Sequence, residues 1–433
     1  MGRTAVLLAF LMVIAACSGS EAEPTAGSST AAATTTVPVT TTTRAPSTST
    51  TAPPPEPAIE WGDCRFNSPT RDVACGTVAM PANRRDPDSG SIRVQVAVFR
   101  AKSDTPLADP VVYVSGGPGW PAIMNTLIGF DVAFGDFNTD RDVILWDQRG
   151  TGLSEPDTTC PEVTEARSDA LEQGLAAVLG LLGVVDAFEA CRDRLLDEGV
   201  DLAGFDTTTS AADLEDLRLA LGYEQWNLYG VSYGTRLAID VLRDHPEGIR
   251  SAILDSVMPP QVDPVGTQIA NLGASLDEVF AACASDPRCT DRYGDVETRF
   301  WELARSLEQS PVEIRTWFQA FPYDITVDGA MFIVMAFFAM YWPQLVAIVP
   351  AMIDRVAEGD ATALNPFGAN LIAFVGNPTV GVGMSESVTC RDEVPFAVME
   401  DPADALLIEV FETVGDLDIT DLCDMWGAGE SPP

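Results

Sequence analysis

The stretch Asn227-Leu228-Tyr229-Gly230-Val231-Ser232-Tyr233-Gly234-Thr235 constrains the fold more than any other part of this 433-residue chain. An apolar run at 226–231 precedes it, and a segment of helical character follows at 233–244. Gly-x-Ser-x-Gly between a strand and a helix fits a nucleophile elbow, a sharp turn that lifts a serine hydroxyl above a sheet. A serine hydroxyl is a weak nucleophile unless a neighbouring base takes its proton. The chain has one histidine, His245, at the far end of the helix that the elbow begins. At about 1.5 Å of rise per residue, this puts it roughly 18–20 Å from Ser232. His245 is excluded as the base. Either the base comes from sequence beyond Pro433, or the chain does no serine chemistry. The single lysine, Lys102, has no local context that suggests a serine–lysine dyad.

The surrounding pattern is α/β. Valine-rich strands are expected at 72–80 and 92–101, joined by a polar turn. Short apolar strands at 110–114 and 142–146 run into Ser115-Gly116-Gly117-Pro118-Gly119 and Asp147-Gln148-Arg149-Gly150-Thr151-Gly152. Continuous apolar runs of this length suit strands covered on both faces. A helix is expected to start at Thr209 or Ser210, with Asp213 as a capping-box acid and Gly222 ending it. The elbow strand and helix follow, then a strand at 252–254. Strands alternating with helices through short loops indicate a mainly parallel sheet. Beyond Pro259 the spacing turns helical, at 266–310 and 328–358, with no further strand except one at 312–315. This helical region would stand above the carboxyl ends of the strands, where ligands bind in such sheets.

The N-terminus has the tripartite form of an export signal at 1–16: Arg3, an apolar run, then Cys17. Ile14-Ala15-Ala16-Cys17 resembles a bacterial lipobox, with Cys17 lipidated; the alternative is an ordinary signal that happens to precede a cysteine. Setting Cys17 aside leaves eight cysteines, an even number that reads as disulfides in an exported chain. Sequence neighbours suggest 64–75, 160–191, 283–289 and 390–423, among roughly a hundred formal pairings. Residues 17–57 are rich in Ser, Thr, Ala and Pro and read as a disordered stalk with a reach of roughly 35 Å. The formal charge of −39 argues against nucleic-acid binding. The apolar run at 329–353 is long enough for a membrane span. Pro343 and Pro350 interrupt it, so two buried helices are expected instead.

Taken together, these motifs resemble the α/β-hydrolase peptidases of the prolyl aminopeptidase and tripeptidyl aminopeptidase group. The residues that carry the resemblance are Ser115-Gly116-Gly117-Pro118-Gly119, Trp146 through Ser154, Thr207 through Leu221, Gly230 through Thr235, and Leu254-Asp255. Tyr341-Trp342-Pro343, Gly359-Asp360 and Cys423 followed by Trp426 extend it over roughly residues 60–426. The resemblance implies Ser232 as nucleophile and the N–H of Tyr233 as one oxyanion donor. A second donor would come from Gly116 or Gly117. Asp147, Gln148 and Arg149 would brace the loops, and Asp255 reads as structural rather than as a triad acid. Asp392 and Glu393 could pair with a substrate's free amino group; a solvated pair is the alternative.

In that family the triad Asp and His follow on later strands, and neither is present here. The expected organisation is a hydrolase core at 58–258, a helical cap at 259–426 and a tail at 427–433, with the last strands of the sheet absent. The expected function is an exported serine hydrolase of aminopeptidase type, inactive as this chain stands. It would act on a peptide or a small amide or ester, without cofactor or metal, from the outer face of a bacterial membrane through Cys17 or after secretion. The alternatives are a non-catalytic peptide-binding lipoprotein and an esterase or lipase of the same fold.

Overall fold

The computed structural model describes residues 57–68, 72–174, 184–318, 321–398 and 419–429. The expected signal, Cys17, nearly all of the stalk and the last four residues of the tail lie outside the described residues. Seven strands form one sheet: β1 (Ile59–Gly62), β2 (Val73–Pro81), β3 (Ser91–Phe99), β4 (Val111–Val114), β5 (Val143–Asp147), β6 (Trp226–Val231) and β7 (Ile249–Asp255). Their spatial order is β1-β2-β3-β5-β4-β6-β7. β1, β2, β3 and β5 pair antiparallel in turn, and β5, β4, β6 and β7 run parallel. β2, β4, β5, β6 and β7 therefore share one direction. Among the described residues β7 has a single strand neighbour, β6, and Ile253 on it is 45% exposed.

Alternate residues of each strand face opposite sides, so a two-sided sheet needs apolar residues at every position. Val112, Val114, Ile144, Trp146, Trp226 and Leu228 point to one side. There they meet Leu214 and Leu217 of helix Thr207–Leu221, and Leu237 and Val241 of helix Tyr233–Asp244. Tyr113, Val143, Leu145 and Tyr229 point to the other side, against Ile123, Phe130 and Phe134. Both helices are crossovers between parallel strands, which cannot be joined by a tight turn.

Helix Thr207–Leu221 begins earlier than its sequence suggests. Its N-cap is Asp206, whose carboxylate accepts from the N–H of Thr209, and Gly222 closes it in the left-handed conformation at φ 76°. Asp213 has a different task from the expected capping. It is fully buried and takes a two-pronged ion pair from Arg149, at 2.7 Å on each side, plus a third contact from Arg84. Arg149 also donates to the carbonyls of Pro81, Ala82 and Gly204. One guanidinium thus ties together the end of β2, the loop after β5 and this helix.

The helical region also differs from expectation: it contains a hairpin, and the run at 329–353 forms three helices rather than two. A hairpin of β8 (Val312–Phe318) and β9 (Phe321–Val327) forms a second, two-stranded sheet. Pro322 hides β9 in the sequence, because proline is tolerated in a strand only at edges. The run at 329–353 breaks into helices Gly329–Ala339, Pro343–Val346 and one beginning at Val349. Among the described residues no helix is long and apolar enough to cross a membrane. Helices Pro161–Leu171 and Val184–Asp197, from before the elbow, share the hydrophobic core of the helical region. Disulfides join Cys64–Cys75, Cys160–Cys191, Cys283–Cys289 and Cys390–Cys423, the pairs that sequence neighbours suggested.

Asp213→Ala leaves Arg149 buried without its anion, so it is expected to cost about 3–5 kcal/mol in urea denaturation. A loss under about 1 kcal/mol would show that the pair does not hold these elements together.

Candidate active site

β6 delivers Ser232 to the carboxyl edge of the sheet, and helix Tyr233–Asp244 starts immediately after it. Ser232 has φ 56° and ψ −125°, a conformation that costs an L-residue roughly 1–3 kcal/mol. Surrounding bonds hold it there. The N–H of Ser232 donates to the Asp255 carbonyl at 3.0 Å, and its own carbonyl accepts from the N–H and hydroxyl of Thr235. The turn closes because Gly234 has no side chain: a Cβ there would lie 2.0 Å from the Val114 carbonyl oxygen. Gly116 is placed by the same logic. A Cβ on it would lie 2.8 Å from the Val231 carbonyl oxygen and 3.5 Å from Ser232 Oγ.

The Gly116–Gly119 loop therefore runs directly alongside the serine hydroxyl. Tyr233, as the first residue of its helix, has an N–H with no acceptor inside that helix. The loop is braced from both sides. Gln148 Nε2 donates to the Ser115 carbonyl at 2.9 Å, and the N–H of Gly381 donates to the Gly119 carbonyl at 2.9 Å. Asp147 accepts from the N–H groups of Ala122, Ile123 and Leu153, which fixes both loops to the end of β5. Serine at a strained strand-to-helix turn, beside a glycine loop and a helix N-terminus, is the geometry that acyl transfer requires.

Comparison with known families agrees. A profile of the alpha/beta hydrolase fold matches residues 109–310. The chain has the α/β-hydrolase fold. It is 27% identical over 244 residues to the serine protease Hip1 of Mycobacterium tuberculosis, covering 53% of this chain and 46% of that protein. It is 26% identical over 291 residues to a tripeptidyl aminopeptidase of Streptomyces lividans, covering 61% and 53%. A probable proline iminopeptidase of Streptomyces coelicolor matches at 27% over 183 residues, covering 42% of each chain. The chain thus spans about half the length of the curated relatives it matches.

The remaining candidate site residues fall as follows. His245 is the residue after the elbow helix, with its N–H on the Val241 carbonyl, a full helix length from Ser232. Lys102 is exposed, 3.8 Å from Asp131. Asp255 ends β7 exposed, near the hydroxyls of Tyr229 and Ser256. Asp392 accepts from the N–H and hydroxyl of Thr207, whose hydroxyl also meets that of Tyr233 at 3.0 Å. Glu393 lies 3.2 Å from Arg236 on the elbow helix. Burial pushes its carboxyl up to about 7, with Arg236 opposing and Asp392 and Asp263 adding to the rise. Among the described residues no cluster of His, Cys, Asp or Glu could hold a metal ion. The aromatic residues Trp120, Phe338, Tyr341 and Phe374, which sequence reasoning did not connect to the elbow, form a strip leading away from the glycine loop.

Burial pushes the Asp147 carboxyl up to about 6, despite the opposing donations from Ile123, Leu153 and Ala122. An unfolded aspartate titrates near 4, so between about pH 4 and 6 the folded chain holds more protons than the unfolded one. Stability is fully present below that window and falls as pH rises through it, by on the order of 2–3 kcal/mol. Urea midpoints at pH 4, 5 and 6 are expected to fall more steeply for the parent than for Asp147→Asn. Glu393 acts alike in both proteins. Parallel profiles would contradict the assignment.

Proposed function

We propose that this chain carries the nucleophile, oxyanion donors and cap of an exported serine hydrolase of aminopeptidase type. In this reading the hydrolase core is 58–258 and the cap 259–426. Ser232 Oγ attacks a peptide carbonyl, and the oxyanion that forms accepts from the N–H of Tyr233 and from Gly117 or Gly116. Collapse expels the amine and leaves an acyl-serine, which water hydrolyses to acid and free serine. The observation that carries this is the strained Ser232 turn packed against Gly116. Peptides as substrates are supported by the peptidase relatives. Export is supported by the four disulfides, by the apolar N-terminal run and by Cys17, through which the chain would be lipid-anchored.

The proton from Ser232 needs an acceptor, and the one histidine of this chain stands at the far end of the elbow helix. The 433-residue chain by itself is therefore inactive. The same observation favours a second reading, a peptide-binding lipoprotein that uses the pocket without chemistry. Both predict that a fluorophosphonate probe fails to label Ser232 rapidly in the 433-residue chain, by intact-mass spectrometry against Ser232→Ala. Rapid stoichiometric labelling would refute the claim of inactivity and show that another group serves as base. Supplying a histidine-bearing polypeptide that restores labelling would separate the hydrolase from the binding protein.

A further inference from the structure

We infer that the strip Trp120–Phe374–Phe338–Tyr341 is the specificity wall of this site and takes an aromatic or large apolar side chain. The inference rests on the reading of Ser232 and Gly117 as the place where a peptide carbonyl binds. Trp120 follows the glycine loop directly, and its Cδ1 would lie 2.9 Å from a Cβ on Gly117. From Trp120 the rings continue in sequence through space. Phe374, near the end of helix Asn365–Val375, has its centroid 5.5 Å away. Phe338 lies 4.9 Å and Tyr341 5.2 Å beyond it.

Their burial separates this strip from ordinary core packing. Trp120, Tyr341 and Phe374 belong to none of the three hydrophobic clusters that hold the fold together. Tyr341 is 55% exposed, and Trp120 and Phe374 are half-buried. Ring centroids at 5–6 Å with tilted planes leave edges and faces open to a further ring, which aromatic groups favour. A charged side chain laid on this strip would lose hydration with no partner in return. The residue whose carbonyl sits between Tyr233 and Gly117 is the one that reaches Trp120, because its side chain leaves one carbon from that carbonyl. The wall thus reads the residue on the acyl side of the scissile bond.

Binding tests this without chemistry. Isothermal titration calorimetry on Ser232→Ala would compare Ala-Ala-Phe, Ala-Ala-Leu, Ala-Ala-Ala and Ala-Ala-Asp amides. The Phe peptide is expected to bind about tenfold or more tighter than the Ala peptide, with Asp weakest. Adding Trp120→Ala or the milder Phe374→Leu should remove most of that preference. Trp61→Ala, an exposed indole on the edge strand β1, should keep it. Thermal melts identify any variant that fails to fold, and Phe374→Leu stands in where Trp120→Ala does. A flat series, no measurable binding, or a preference untouched in folded variants overturns the inference. Failure of a phosphonate to acylate Ser232 leaves this result standing and counts only against the proposed reaction.

Discussion

The site depends on a close approach of backbones that only absent side chains allow. Gly234 brings the first turn of the elbow helix onto the carbonyl of Val114, and Gly116 lies on the carbonyl of Val231. The loops after β4 and β6 are therefore locked to each other, with the serine hydroxyl beside the glycine loop. A left-handed serine is costly by itself. It persists because its bonds to Asp255 and Thr235, together with the close packing of Gly116 and Gly234, over-determine it.

Buried charge does the same for the neighbouring loops. Arg149 gathers Asp213 and three carbonyls, and Asp147 gathers three N–H groups. The Asp-Gln-Arg-Gly motif is thereby bonded into the loops around Ser232. It converts the end of β5 into a rigid frame, with Gln148 holding the Ser115 carbonyl. The helical region is fastened to this frame where the N–H of Gly381 meets the Gly119 carbonyl, on the loop whose Gly116 lies alongside Ser232. An aromatic strip that starts at Trp120 and continues into the helical region accompanies that contact.

Local features were legible in the sequence. Strand Trp226–Val231 and helix Tyr233–Asp244 follow from an apolar run, a glycine-flanked serine and an amphipathic segment, and all are local signals. The four disulfides were readable because each joins sequence neighbours. What failed was non-local or masked. Asp213 has the spacing of a capping acid, but two guanidinium groups from distant segments claim it. β9 contains a proline that only an edge strand tolerates. Asp392 and Glu393 are adjacent in sequence yet face different partners, Thr207 and Arg236, because successive residues of the helical turn Thr389–Glu393 point in different directions. The strip from Trp120 to Tyr341 draws on three separated segments, and no periodicity announces it.

The central claim is that the elbow serine has no imidazole of this chain within reach. A single histidine makes the most direct measurement simple: record the His245 ring protons by NMR at fixed pH, with and without a peptide boronic acid bound at Ser232. The account predicts unchanged chemical shifts, because a full helix separates the two residues. A shifted ring resonance, or a new low-field proton on adding the boronate, would contradict it.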